Sequence, residues 1–133
     1  MKVRYILCSE SSAIDVFSNR LSIFNLIEQI SVQSYPTAIA GLNVVVGASK
    51  DDEDGNSVAA RLKFHLNGVE LANYEMEFSF DDGNAARAVG SIQGFFVSSP
   101  GRLDVSVHLN DRQLGVWSIP CVHAGQPELN LNT

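Results

Sequence analysis

Leu62, Phe64 and Leu66 alternate with Arg61, Lys63 and His65, and beyond Asn67-Gly68 the residues Tyr74, Met76, Phe78 and Phe80 alternate with Glu75, Glu77 and Ser79. A period of two puts successive side chains on opposite faces of an extended chain, so both runs read as strands with one apolar and one solvated face. A two-residue loop pairing Leu66 with Val69 would set Asn73 opposite Leu62 and mix the faces. A longer loop or a bulge sets Tyr74 opposite Leu62 and Arg61 opposite Glu75, and parity favours that register. The run "RLDVSVHLN" repeats the pattern, with Leu103, Val105, Val107 and Leu109 inward and Asp104, Ser106, His108 and Asn110 outward. Its partner "LGVWSIPC" is expected to bury Trp117, Ile119 and Cys121.

Turn chemistry recurs at short intervals: Ser18-Asn19-Arg20, Tyr35-Pro36, Asp51 to Asn56, Asn67-Gly68, Asp81 to Asn84, Ser99-Pro100-Gly101 and Asn110-Asp111-Arg112. The intervals between them have strand length and are rich in β-branched and aromatic residues. The one competing signal is "RLSIFNLIEQI", where Ile23, Leu26, Ile27 and Ile30 have helical spacing. It lacks a glycine stop, "RLSIF" alternates, and "EQISVQSY" leaves as a strand before Pro36. We therefore read a strand, with a bulge near Asn25 to Leu26 that moves the inward set from Leu21 and Ile23 to Leu26, Ile30 and Val32. The pattern predicts an all-β protein: a single antiparallel β-sandwich of about eight strands over residues 1–123, immunoglobulin-like in general architecture. A polar, loosely ordered tail is expected at 124–133.

At 133 residues a chain buries roughly two-thirds of the surface its unfolded form exposes, so no metal or disulfide staple is required. The net charge of -6, with no run of Lys or Arg, lacks the electrostatic footprint of a nucleic-acid binder. The apolar run Tyr5 to Cys8 is too short for a signal-peptide core or a membrane span. A soluble, cytoplasmic protein is expected, with Cys8 and Cys121 as reduced, buried small hydrophobes.

The runs "LSIFNLIEQI" to "YP" (Leu21 to Pro36), "GFFVSSPGRL" (Gly94 to Leu103) and "LGVWSIP" (Leu114 to Pro120) resemble a family of short, uncharacterised bacterial proteins of nearly this length. In that family an L-S-hydrophobic-F-N segment precedes a Phe/Tyr-Pro turn, and a P-G turn leads into a final hairpin ending in a Gly-x-Trp-x-Ile strand. The resemblance implies a β-sandwich and brings no activity, substrate or catalytic residue. The acidic loop "KDDEDGN" has no placed equivalent in it.

Catalytic and cofactor motifs are missing: no G-x-S-x-G elbow, phosphate loop, G-x-G-x-x-G, C-x-x-C or H-E-x-x-H occurs. His65, His108 and His123 fall on separate strands, without the close pairs of a zinc site, and are read as exposed strand residues. Ser11, Ser12 and Ser18 have no His and Asp partners at recognisable spacing. One constellation remains. If consecutive strands are antiparallel, the loops at Ser18 to Arg20, Asp51 to Asn56, Asp81 to Asn84 and Asp111 to Gln113 share one end of the sandwich. Asp51, Asp52, Asp54, Asp81, Asp82 and Asp111 would gather there, which is the ligand chemistry of calcium. The linear EF-hand pattern fails, because Lys50 holds the first ligand position and Arg61 the twelfth. Turns favour the same residue types without any metal. The opposite end, with Pro36, Asn67-Gly68, Ser98 to Gly101 and His123, carries little charge. These observations point to a non-enzymatic protein-interaction module whose partner is another protein or a second copy. Calcium or small-ligand binding at the acidic end is the alternative.

Overall fold

In the computed structural model the described residues are 1–81 and 83–124; Asp82 and 125–133 lie outside them. Among the described residues nine strands form: β1 (Lys2–Ile14), β2 (Leu21–Leu26), β3 (Ile30–Val32), β4 (Thr37–Ser49), β5 (Ser57–Leu66), β6 (Val69–Ser79), β7 (Ala85–Val97), β8 (Gly101–Leu109) and β9 (Arg112–His123). They make a four-stranded sheet ordered β2-β1-β4-β7 and a five-stranded sheet ordered β3-β9-β8-β5-β6. No helix occurs among the described residues, so none is long and apolar enough to cross a membrane.

The stretch from Arg20 to Ile30 is extended, as alternation indicates, but it is two strands rather than one bulged strand. Asn25 sits at φ 57°, a left-handed conformation that Asn tolerates better than most side chains. Pairing with β1 ends at Leu26, and the chain then crosses to the other sheet, where Ile30, Ser31 and Val32 run parallel beside Cys121, Val122 and His123. The crossing buries Ile30 in the core while leaving Leu26 exposed. The described residues form nine strands where about eight were expected, and the expectation of wholly antiparallel pairing is corrected, because β3 with β9 makes the second sheet mixed.

Elsewhere the alternation holds. Arg61 pairs with Glu75 and Leu62 with Tyr74, and the parity mismatch is absorbed by a bulge between Phe64 and His65 while Leu66 still pairs with Val69. Leu62, Phe64, Phe78, Leu103, Val105, Val107 and Ile119 are fully buried and meet Val44, Val46 and Val97 of the facing sheet. Each such side chain contributes about 1.5–3 kcal/mol by leaving water. The Arg61 guanidinium, however, turns from Glu75 to Asn73, its Nε donating to Oδ1 at 2.8 Å. Trp117 faces inward but is only half-buried beside the core, not enclosed with Ile119 and Cys121 as alternation suggests. It lies in the opening between β1 and β9, and its buried Nε1 has no hydrogen-bond partner among the described residues.

Both thiols are free and buried, Cys8 in one sheet and Cys121 in the other. Burial pushes the Cys8 thiol up to about 12 and raises Cys121 as well, against a backbone hydrogen bond from Leu103. Both therefore behave as hydrophobes rather than nucleophiles.

The first sheet folds back on itself. Asn43, Val45, Gly47 and Arg87 share its outward face, yet Val45 is completely buried. The Tyr5 ring covers Gly47, where any β-carbon would overlap it. The Asn43 amide donates to Ser12 Oγ at 2.9 Å, and Arg87 donates to the Asn19 carbonyl at 2.8 Å. The β1–β2 hairpin thus curls across the outside of β4 and β7. Val16 and Phe17, at its tip, remain 87% and 96% exposed.

Candidate functional site

Three places on this frame bring chemistry together, and the acidic end is the first. The Lys50 N–H donates to the Asn84 carbonyl at 2.8 Å and the Phe80 N–H to the Asn56 carbonyl at 2.7 Å, so the loops after β4 and β6 adjoin. Two of the carboxylates there are already engaged. Asp51 and Asp54 both take the Met1 ammonium, each through Oδ2 at 2.7 Å, and Asp54 Oδ2 also accepts the Asp51 N–H at 2.8 Å. Asp81 and Asp111 adopt positive φ, 49° and 65°, which short polar side chains tolerate in tight turns. Asp52 is exposed, and Asp82 lies outside the described residues. Among the described residues no three carboxylate, imidazole or thiol groups are arranged to hold a metal ion.

The ammonium and its two carboxylates form a local clamp. Burial alone would lower the Met1 amine, but hydrogen bonds to Asp51 and Asp54 and their charges outweigh it, and the amine titrates above its ordinary 8.0. The bond from Met1, then the Asp51 N–H, hold the Asp54 carboxyl below its ordinary 3.8, with burial opposing and the charges of Met1 and Lys50 assisting. The depressed carboxyl stabilises the fold above its unfolded value, and that contribution is lost as pH falls through the folded one. The raised amine stabilises below 8.0, and that contribution is lost as pH rises through its folded value. Asp54→Asn is expected to melt below the parent protein across the plateau between these limits. The gap should close at both extremes, measured as melting temperature against pH; a constant gap would remove the clamp from the explanation.

The second place is a slot of about 460 Å³ between β6 and β7, which face each other without pairing. Leu62, Met76 and Ala88 line it, and Gly90 admits them because a β-carbon there would stand 3.0 Å from Leu62 Cδ2 and 3.2 Å from Met76 Cε. Tyr74, Val89 and Ile14 at its mouth are each more than 40% exposed. Glu75 and Glu77 form one rim, and Arg87 on the other is engaged by Asn19.

The third is a polar groove of about 570 Å³ across the outward faces of β5, β8 and β9. Pairing of Arg61 with His108, Lys63 with Ser106 and His65 with Asp104 brings together residues about forty positions apart in the chain. Two histidines read from the sequence as scattered thus share one concavity, and only the β5–β8 register could have revealed it. Ser106, just 4% exposed, lies 2.9 Å from His108 Nε2. This is not a nucleophile–base–acid relay, because the Asp104 carboxylate is occupied by Arg102 Nε at 3.0 Å and Ser118 Oγ at 2.6 Å. Compared with known proteins, the chain matches no family model and no curated protein.

Proposed function

We propose that the protein is a non-enzymatic β-sandwich interaction module, immunoglobulin-like in general architecture, that binds an extended segment of another protein along the slot between β6 and β7. One observation carries this reading: among the described residues each of these strands is paired on one side only, and the slot lies between their other edges. Unpaired backbone N–H and C=O groups are a template for an added strand, and the slot supplies pockets for its alternate side chains. With Arg87 committed to Asn19, Glu75 and Glu77 leave the rim negative, which favours a partner alternating apolar and basic residues. The buried free thiols support a cytoplasmic setting. The Leu21–Pro36, Gly94–Leu103 and Leu114–Pro120 runs support placing the chain among the short bacterial proteins it resembles.

The test uses a short peptide alternating valine and lysine as probe. Its addition is expected to slow amide hydrogen exchange along β6 or β7. Glu75→Lys with Glu77→Lys should weaken binding at least tenfold at low salt, about 1.4 kcal/mol. Sedimentation at rising concentration identifies a second copy as the natural occupant if the same edge becomes protected without peptide. Unchanged exchange along both edges in both experiments would overturn the reading.

A further inference from the structure

The polar groove on the other sheet has a charge balance opposite to that of the whole chain. The protein carries fifteen acidic against nine Lys and Arg side chains, yet two of its three histidines, with Lys63 and Arg102, line this one concavity. Its single acidic lining residue, Asp104, is neutralised by Arg102 and hydrogen-bonded by Ser118. Lys63 makes no ion pair among the described residues, and the Glu70 carboxylate stands 4.0 Å from His65 at the margin. His108 is held below the usual imidazole range by burial first, then by the positive charges of Lys63 and His65, with Asp111 opposing. Like charges kept close without a counter-ion are a standing cost that an anion would remove. The floor offers the buried Ser106 hydroxyl, and Val116, about half exposed, offers an apolar wall.

We propose that this groove binds a small organic oxyanion, a carboxylate or a phosphate monoester, with its charged group on Lys63 and protonated His108 and its apolar body against Val116. The volume of about 570 Å³ falls within the range of small-molecule sites and exceeds the needs of a bare inorganic ion. Binding draws a proton onto His108, so affinity and imidazole protonation are reciprocally linked. The groups facing that imidazole are Arg61, Lys63 and His65 of β5, Ser106 of β8, Gln113 of β9 and Asp111 of the intervening turn. Arg61 is bonded to Asn73 and Gln113 carries no charge, which leaves the groove's imidazoles to couple anion binding to protonation.

The experiment titrates the intact protein with phenyl phosphate, benzoate and inorganic phosphate at matched ionic strength, following the histidine ring resonances by NMR. Phenyl phosphate or benzoate should shift His108 and His65 while leaving His123 unmoved, and whichever binds more tightly names the anion class. Affinity should fall by up to about tenfold per pH unit above the imidazole range. Lys63→Gln and His108→Gln should each weaken binding at least tenfold while Arg4→Gln, on the far sheet, leaves it unchanged; melting curves confirm that all three variants fold. Equal movement of all three histidines, pH-independent affinity, or undiminished binding by folded Lys63→Gln would overturn the proposal, as would inorganic phosphate binding as well as the organic probes.

Discussion

Phe64→Ala is expected to cost about 3–5 kcal/mol, the range for deleting a large aromatic from a closed core. Phe64 has no exposure at all, and it lies on β5, which has a strand on either side in the five-stranded sheet. Its ring meets Tyr74 edge-on, with centroids 6.2 Å apart, so truncation forfeits an aromatic pair as well as the transfer term. Strands pair with β5 on both sides, without a register shift toward β8 and with a bulge after Phe64 toward β6, which limits how far the strand can sink into the void. Since small domains are stable by only about 5–15 kcal/mol in total, the variant should lose about a fifth of its margin or more. Denaturant unfolding should register this as a lower midpoint at unchanged slope. Tyr74→Ala, at the open mouth of the slot, is the control and should cost far less. A loss below about 1 kcal/mol for Phe64→Ala would mean that the core between the sheets is not closed around it.

Gly101→Ala carries the second large effect, by a different mechanism. Gly101 opens β8 at φ 148°, and a β-carbon there would overlap the Asn67 side chain. That side chain ties two turns together: its oxygen accepts the Arg102 N–H at 2.9 Å, and its amide donates to Ser99 Oγ at 3.1 Å and to the Pro100 carbonyl at 3.2 Å. A methyl group therefore strains the backbone at this φ, at about 1–3 kcal/mol, and also displaces part of the clamp, at about 1 kcal/mol for each hydrogen bond lost. The expected total is about 2–4 kcal/mol. Asn67→Gly keeps the positive φ of Asn67 available while removing the clamp, and should cost less. The double variant should be clearly better than the sum of the two, because the overlapping group is gone. Strict additivity would assign the effect to Gly101 backbone strain alone.

What could be read from the sequence follows the range of each interaction. Alternation is local, so the inward set Leu62, Phe64, Leu66, Leu103, Val105 and Val107 was legible, and so was the Arg61–Glu75 register, because parity constrained the hairpin. Trp117 obeys the same parity but escapes full burial, since it faces the opening beside β1 rather than a covering strand. The transfer of Ile30 to the second sheet left only Asn25 as a local trace, a residue that reads equally well as a bulge. The groove depended on β5 meeting β8, a pairing between segments some forty residues apart, and no spacing between histidines in sequence records it. Asp51, Asp52, Asp54, Asp81 and Asp111 were correctly placed between strands, but the demand of the Met1 amine on Asp51 and Asp54 is a tertiary fact.

The parallel pairing of β3 with β9 also bears on the order in which the molecule can be made. Among the described strands Ile30 to Val32 pair with β9 alone, at Cys121 to His123, so on a ribosome β3 emerges some ninety residues ahead of that partner. Closing so long a loop is entropically unfavourable until much of the intervening structure stands. The hairpins β1–β2, β5–β6 and β8–β9 can form as they appear, whereas β3 must wait, its apolar Ile30 open to wrong partners. The chain carries its last-formed contact near its beginning, and a nascent chain stalled before Arg112 would present β3 without the strand that covers it.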